Sequence, residues 1–148
     1  MENSNAVLIA TDYDKVDGIH AYKSDTKMLS LESEASELIA KVWKEADDQT
    51  KELFTSLPLH QVLDMTIFIC SGLGYFKEAY RYPKLYDPDN PNIDRIGLQG
   101  SAMTVSVFTD NQNIDEKIQE FSQLISNQGE IIGERLRALS RVLKEMGY

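Results

Sequence analysis

The chain has 148 residues, of which 42% are hydrophobic and 26% charged, the composition of an ordinary globular protein. The single cysteine, Cys70, excludes an internal disulfide and a cysteine cluster for zinc, and the net charge of −9 argues against binding to nucleic-acid backbones. The length predicts a single domain over residues 1–148 that folds without a metal or other cofactor.

The start of the chain predicts a strand and no export signal. Ala6–Ala10 is a short apolar run rich in β-formers, and the residues before it lack the basic region of a signal peptide. The longest apolar window, later in the chain, is interrupted by Asp64, Ser71 and two glycines, so we expect no membrane span. The protein is therefore expected to be soluble and cytoplasmic.

The next segments predict a turn and then an ambiguous element. Asp17-Gly18 is a turn signal before an extended piece at Ile19–Lys23, and a polar break follows at Ser24–Thr26. Over residues 35–46 the apolar side chains recur at helical spacing, but Leu38-Ile39-Ala40-Lys41-Val42 also alternates as a strand does. Periodicity alone narrowly favours a helix. Asp47–Gln49 is predicted to be another polar break, with the apolar pair Leu53-Phe54 after it.

A long central helix is predicted from Pro58 to Arg81. Proline is tolerated in the first turn of a helix, and Pro83 ends the pattern because the residue before a proline leaves the α region. Apolar side chains point in almost every direction around this helix, which is typical of a helix buried on all sides.

The last part of the chain predicts a loop, a strand and a helical hairpin. Tyr82–Gly100 carries three prolines and no helical period, and Ile96–Ser101, with its two glycines before a strand, is predicted to be a structural turn. Met103–Thr109 alternates as a strand. A helix with an apolar face from Ile114 to Ile125 follows, with Asn113 as its N-cap, then a break at Asn127–Gly129 and a helix over Glu130–Met146 that Gly147 ends.

Strands and helices do not alternate regularly, so the sequence predicts an α+β fold. In this fold an antiparallel sheet packs on the long central helix and the C-terminal helical hairpin.

The most distinctive side chains lie at the exit of the central helix. Tyrosine and arginine together suit stacking on a planar ligand, gripping a phosphate or carboxylate, or contacting a protein. An alternative is that the aromatic side chains only seal the loop onto the core and the arginines pair with nearby aspartates. The predicted ligand-binding residues are Tyr80, Arg81, Tyr82, Tyr86 and Arg95.

No set of residues specifies a reaction. His60 and Asp64 stand four residues apart, a spacing that lets both reach one ligand, but a metal site would need further ligands and none is predicted. An enzyme is less expected than a binding protein. A small hydrolase that uses His60, Asp64 or Glu78 is kept as an alternative.

The preferred function is a non-enzymatic binding module that forms a homodimer. It would contact a protein partner or a small anionic, nucleotide-like ligand through the Tyr/Arg-rich loop. The second hypothesis is an acidic interaction or inhibitor protein, including one of mobile-element origin, that captures a basic partner through the excess of negative charge.

Several segments resemble a family of small bacterial proteins described as a domain of unknown function. They include LPLHQVLDM, YFKEAYRYPKLYDPDNPNIDRIGLQG, MTVSV and GERLRALSRVLKEMGY, with YDKVDGIHAY and AKVW matching less densely. The resemblance implies a strand at Ala40–Trp43, against the helical pattern there. It implies no activity and no catalytic residues.

Overall fold

The computed structural model describes residues 5–16, 25–46 and 50–148. The chain divides into two compact units, residues 1–64 and residues 65–148. The fold is α+β, as predicted, with a four-stranded antiparallel sheet, a separate two-stranded sheet and three helices. The single-domain assignment and the packing of the sheet on the central helix stay predictions.

The four-stranded sheet is an antiparallel meander in the first unit. Its strands follow the order of the chain, and each pairs with the next: β1 (Ala6–Ala10), β2 (Thr26–Glu34), β3 (Glu37–Glu45) and β4 (Lys51–Pro58). A single 3₁₀ turn at Tyr13–Lys15 follows β1. The predicted strand at Ala6–Ala10 is confirmed with the same bounds.

The helix favoured by periodicity over residues 35–46 is wrong, and the strand that the family resemblance implied is correct. Ala35 and Ser36 form a two-residue turn between β2 and β3 with φ of 51° and 67°. Positive φ at both central residues is what a type I′ hairpin loop requires, so the chain reverses where a helix would begin. The apolar pair Leu53-Phe54 lies within strand β4. Of the predicted polar break at Ser24–Thr26, Ser24 lies outside the described residues and Thr26 is the first residue of β2.

One face of the sheet carries the buried side chains of the first unit. Met28, Ser30 and Glu32 alternate along β2 and are all buried, as is Trp43 on β3. The Trp43 indole Nε1 donates a hydrogen bond of 2.8 Å to the Ser30 hydroxyl. The inner face is therefore partly polar, and its polar groups are paired across the strands.

The central helix, α1, runs over Leu59–Lys77, close to the predicted span, and a 3₁₀ turn at Ala79–Arg81 follows it. The prediction that this helix is buried on all sides is wrong for the isolated chain. Leu63, Met65 and Phe68 are each about half exposed, and none of the residues of α1 is fully buried.

The second unit contains a hairpin and the C-terminal helical pair. Strands β5 (Asn92–Leu98) and β6 (Ser101–Ser106) pair antiparallel around Gln99-Gly100. The predicted loop is wrong over β5, because its prolines lie before the strand. The predicted turn at Ile96–Ser101 is confirmed only at Gln99-Gly100, since the residues on either side belong to β5 and β6. Helices α2 (Ile114–Asn127) and α3 (Gly129–Glu145) match the predicted hairpin within a residue or two.

The core of the second unit is small. Tyr86, Val107 and Ile118 are buried together, with partly buried side chains from α1, β5 and α2 packed against them. Asn113 stands at the N-cap of α2 but makes no capping bond through its side chain. At the end of α3, Gly147 at a φ of 100° allows a Schellman closure, in which the Tyr148 amide donates to the Leu143 carbonyl at 2.9 Å.

The predicted turn at Asp17-Gly18, the extended piece at Ile19–Lys23 and the polar break at Asp47–Gln49 lie outside the described residues. Within the described residues, no helix is long and apolar enough to cross a membrane.

Candidate functional site

The candidate site is the segment that leaves α1, and two of its neighbouring residues point in opposite directions. Ala79 is buried and fixes the start of the 3₁₀ turn against the protein, whereas the next side chain, Tyr80, is 79% exposed. The phenol ring of Tyr80, the middle residue of the turn, is therefore open to contact with another molecule.

Arg81 and Tyr82 form a layered arrangement with Tyr75 of α1. The Arg81 guanidinium carbon lies 5.2 Å from the centre of the Tyr82 ring, within the range of a cation–π contact. The Tyr82 ring in turn stacks on Tyr75, with ring centres 6.3 Å apart and planes at 13°. The stack holds the guanidinium at the surface, where more than half of the Arg81 side chain stays exposed.

Tyr86 lies in the core and not at this surface. Its side chain is buried, and its hydroxyl donates to Oδ1 of Asp115 at 3.3 Å. Burial raises the pKa of the Tyr86 phenol, and the neighbouring Asp115 carboxylate raises it further. The ring anchors the loop to α2, which is the structural role that the sequence left open as an alternative.

The backbone between Tyr82 and Asp87 is constrained. Leu85 has a φ of 65°, a left-handed conformation that is rare for a branched side chain. Its amide donates to the Tyr82 carbonyl at 3.0 Å, and the Asp87 amide donates to the Tyr75 hydroxyl at 3.3 Å. Strained residues of this kind persist where the surrounding contacts fix them, and they concentrate at binding sites.

Arg95 is placed on β5, opposite Thr104 of β6. It is exposed, and its backbone amide donates to Oδ1 of Asp94 at 2.8 Å. The contacts of the loop therefore join Arg81 with Tyr82, while Tyr86 and Arg95 belong to the core and to the hairpin.

The segment around Tyr80 is locally basic in an acidic protein. Lys77, Arg81 and Lys84 lie within eight residues of chain, with Glu78 as the acidic residue among them. Lys84 is 3.4 Å from Asp115, and Arg81 is 3.9 Å from Glu78, with both partners of each pair largely exposed. Exposed ion pairs of this kind contribute little free energy, because water screens the two charges. Arg81 can therefore leave Glu78 and bind another anion in its place.

The residues of the alternative hydrolase are dispersed over different surroundings. His60 is exposed and lines a small open cavity of the first unit with Ser36, Leu38 and Leu63. Glu78 faces Arg81. Among the described residues, no group of three or more His, Cys, Asp or Glu side chains could hold a metal ion.

A second feature of the unit 65–148 was not predicted as a site. The apolar faces of α1, α2 and α3 border open cavities of about 600 Å³ and about 470 Å³ that share Leu73, Ile125 and Ile132. The sequence pattern identified these faces correctly, but it led to the expectation that they fill a closed core. Periodicity shows that a face is apolar, not what covers it.

No curated protein and no solved structure matches the chain. The model of one family matches it over residues 1–148. The chain belongs to this family, which is described as a family of unknown function (DUF6530).

Proposed function

We propose that the protein is a non-enzymatic binding module that takes up an anionic group of a protein partner or of a small ligand. The binding surface is the Tyr/Arg platform, defined as Tyr80, Arg81 and Tyr82. The observation that carries the proposal is the exposed Arg81 guanidinium stacked on Tyr82, which itself rests on Tyr75.

The chemistry of the platform suits a carboxylate or phosphate. A guanidinium offers several N–H donors in a fixed plane and can bind such a group through two parallel hydrogen bonds. The exposed Tyr80 ring adds a face for stacking and a hydroxyl for hydrogen bonding. Arginine stays protonated at physiological pH, so the platform is suited to holding an anion and not to transferring a proton.

The rigidity of the platform favours binding. Tyr82 is fixed by stacking, Tyr86 by burial, and the backbone at Leu85 by its contacts. A surface that is already ordered loses less conformational freedom when a ligand arrives, so more of the contact free energy appears as affinity.

The negative charge of the whole chain favours anion binding at the Tyr/Arg platform over binding elsewhere on the surface. A protein with a net charge of −9 repels anions over most of its surface, and the basic segment Lys77–Lys84 is a local exception. The module is further proposed to work in the cytoplasm and to form a homodimer.

The test is binding of anionic probes to the full chain and to Arg81→Gln. Inorganic phosphate, ADP and an oligoglutamate peptide are titrated by calorimetry, and thermal shifts are recorded. We expect at least one probe to bind the wild type and Arg81→Gln to bind it about tenfold or more weakly, because a hydrogen bond to a charged group is lost.

Arg135→Gln is the matched control, since it removes the same charge from α3 and leaves the platform intact. Equal affinities of the wild type and Arg81→Gln for a probe would show that the Tyr/Arg platform does not bind it. An oligolysine peptide tests the acidic-capture hypothesis. If only the oligolysine peptide binds, and if added salt weakens its binding, the protein captures basic partners and the proposal of an anion site is contradicted.

A further inference from the structure

One cavity between α1, α2 and α3 combines apolar walls with two cationic side chains. It has a volume of about 470 Å³, and Leu73, Ile125 and Ile132 form part of its apolar wall. Lys77, the last residue of α1, and Arg137 of α3 also line it, and no acidic residue of the described chain does. We call this space the cationic cavity.

The two cationic side chains of the cavity have no acidic partner. Most basic residues that the structure describes are in ion pairs, including Arg135 and Arg141 on the same helix as Arg137. Within this described part of the chain, neither Lys77 nor Arg137 makes an ion pair. The chain has 24 acidic residues against 15 basic ones, so partners are abundant, yet none is placed at these two cations. Their charges are therefore open to an anion from outside the chain.

Helix α3 makes room for the Arg137 guanidinium on the wall of the cavity. Gly133 lies one turn before Arg137 and lines the same cavity, and a Cβ atom at Gly133 would come 3.0 Å from Nη1 of Arg137. A larger residue there would force the guanidinium to shift. Glycine weakens the interior of a helix, because it loses more conformational freedom on folding than other residues do. What the helix gains in return is a guanidinium that lies close against its backbone.

Two further glycines keep the cationic cavity open. Gly74 of α1 and Gly129 at the start of α3 line it, and a Cβ atom at either position would meet no atom within 4 Å. The wall at these two positions is therefore backbone, with space in front of it. The volume of the cavity falls within the range of about 300 to 1,000 Å³ that is typical of sites for small molecules.

The chemistry of the walls determines which class of ligand fits. Apolar walls favour a hydrocarbon or aromatic body, because binding removes apolar surface from water. A lysine and an arginine favour a carboxylate or phosphate, which accepts charge-assisted hydrogen bonds from both. An uncharged apolar molecule would leave the two cations unused, and a small inorganic anion would leave the apolar walls in water. A small apolar molecule with one anionic head satisfies both parts of the cavity.

We propose that the cationic cavity binds a small amphipathic anion, with its carboxylate or phosphate head on Lys77 and Arg137. Its apolar body lies against Leu73, Ile125 and Ile132. This site goes beyond the Tyr/Arg platform, because it uses none of the three platform residues and holds its ligand by an apolar body as well as by charge.

The first test is binding of decanoate to the full chain by calorimetry, below the concentration at which decanoate forms micelles. Decan-1-ol has a similar body without the charge, and acetate has the head without the body. We expect decanoate to bind about tenfold or more tightly than either control. Decyl phosphate tests the other head, and the tighter of the two anions identifies which head the cavity prefers. If neither anion binds, or if decan-1-ol or acetate binds as tightly, the proposal is overturned.

Cys70 reports where decanoate binds. It is the single cysteine of the chain, is half-buried and lines the cationic cavity. A ligand in the cavity should shield the thiol, so its alkylation by N-ethylmaleimide should slow in proportion to the fraction of the chain that holds decanoate. Unchanged alkylation at saturating decanoate would place the ligand elsewhere and contradict the proposal.

The charge of the cavity is tested by Lys77→Gln and Arg137→Gln. Each is expected to weaken decanoate binding about tenfold, because a hydrogen bond to a charged group is lost. Arg135→Gln is the matched control, since it removes the same charge from the same helix at a residue that does not line the cavity. Equal affinities of Arg137→Gln and Arg135→Gln for decanoate would contradict the assigned head position.

The space of the cavity is tested by Gly74→Leu. The leucine side chain is expected to fill part of the open space in front of Gly74 and to abolish decanoate binding. Leucine favours a helix more than glycine does, so this variant should fold with at least the melting temperature of the wild type. A folded Gly74→Leu protein that binds decanoate as tightly as the wild type would contradict the proposal.

The cationic cavity and the Tyr/Arg platform fail separately. Arg81→Gln is expected to bind decanoate as tightly as the wild type. If inorganic phosphate, ADP and the oligoglutamate peptide all fail to bind the wild type, the platform is contradicted while decanoate binding still supports the cavity. Loss of decanoate binding in Arg81→Gln would contradict the separation of the two sites.

Discussion

The carboxylate of Glu32 is buried completely and pairs with the ammonium group of Lys41 across strands β2 and β3. The Lys41 side chain is 15% exposed, and its nitrogen also lies 5.9 Å from the centre of the Trp43 ring. The hydrogen bond to Glu32 is the main cause that raises the pKa of Lys41, so the lysine stays charged in the folded protein. The inner face of the sheet is thus organised around an ion pair.

Lys41→Met should destabilise the protein strongly. Removal of Lys41 takes a directly paired positive charge away from the completely buried Glu32 carboxylate, and breaking a buried ion pair in this way typically costs about 3 to 5 kcal/mol. Denaturant unfolding at neutral pH measures the change, and Glu32→Gln in the Lys41→Met background should recover a large part of it.

Lys44→Met is the matched control for this prediction. Lys44 pairs with Glu52 at 3.6 Å, with the Glu52 side chain 57% exposed, and such pairs contribute about 1 kcal/mol or less. Equal losses in the two variants would show that Glu32 does not depend on Lys41.

The turn between β2 and β3 should be improved by residues that adopt positive φ readily. Ala35 and Ser36 both occupy the left-handed region, where asparagine and glycine are favoured. Ala35→Asn combined with Ser36→Gly should raise the unfolding free energy by about 1 kcal/mol, because the steric cost of the left-handed backbone is relieved. Thermal unfolding measures the gain. A lower melting temperature of the double variant would contradict the assigned turn.

The same turn explains why the sequence pattern wrongly favoured a helix over residues 35–46. A hairpin is normally signalled by Asn-Gly or Asp-Gly, and Glu34-Ala35-Ser36-Glu37 instead looks like the start of a helix. The apolar residues after this turn fit the period of a helix as well as that of a strand, because both faces of β3 are at least partly covered and carry apolar side chains. Elements with a single apolar face, such as α2 and α3, were predicted nearly to the residue.

The candidate site was predicted in part. The exposed aromatic and basic side chains at Tyr80 and Arg81 follow from the helix ending near Pro83, which the sequence signals directly. Burial of Tyr86 could not be inferred, because its partner Asp115 is distant in the sequence and only the fold brings the two together. Arg95 was assigned to a loop, and its place on a strand depends on pairing with Thr104.

Tyr86 should make the protein sensitive to alkaline pH. Because its pKa is raised in the folded state, the folded protein holds the phenolic proton more tightly than the unfolded chain does. This contribution to the unfolding free energy is complete below about pH 10, the unfolded pKa, and is lost as the pH rises through the folded pKa.

Tyr86→Phe should therefore show a shallower fall in unfolding free energy than the wild type as the pH rises above about 10, the pKa of the phenol in the unfolded chain. Denaturant unfolding at several pH values measures the slope. Tyr80→Phe is the matched control, since the Tyr80 side chain is 79% exposed and its replacement should leave the slope unchanged. Identical slopes for all three proteins would contradict the assignment.

Ile118 should be among the most sensitive apolar positions of the second unit. Its side chain is 4% exposed and packs with Tyr86 and Val107. Ile118→Ala should lower the unfolding free energy by about 2 to 4 kcal/mol through the lost burial and the cavity left behind. Phe108→Ala, at a side chain that is 68% exposed, should cost less than about 1 kcal/mol. Denaturant unfolding compares the two, and similar losses would contradict the assigned core.

Strand β1 has a consequence for how the protein behaves in concentrated solution. It forms one edge of the described sheet, carries no charged residue, and exposes Val7, Leu8 and Ile9. An uncharged, apolar edge offers its backbone for pairing with strands of other molecules. Charge repulsion between the acidic chains opposes this pairing, and it vanishes near the isoelectric point of about 4.7. Aggregation should therefore be fastest in mildly acidic buffer, and a lysine placed in β1 should suppress it.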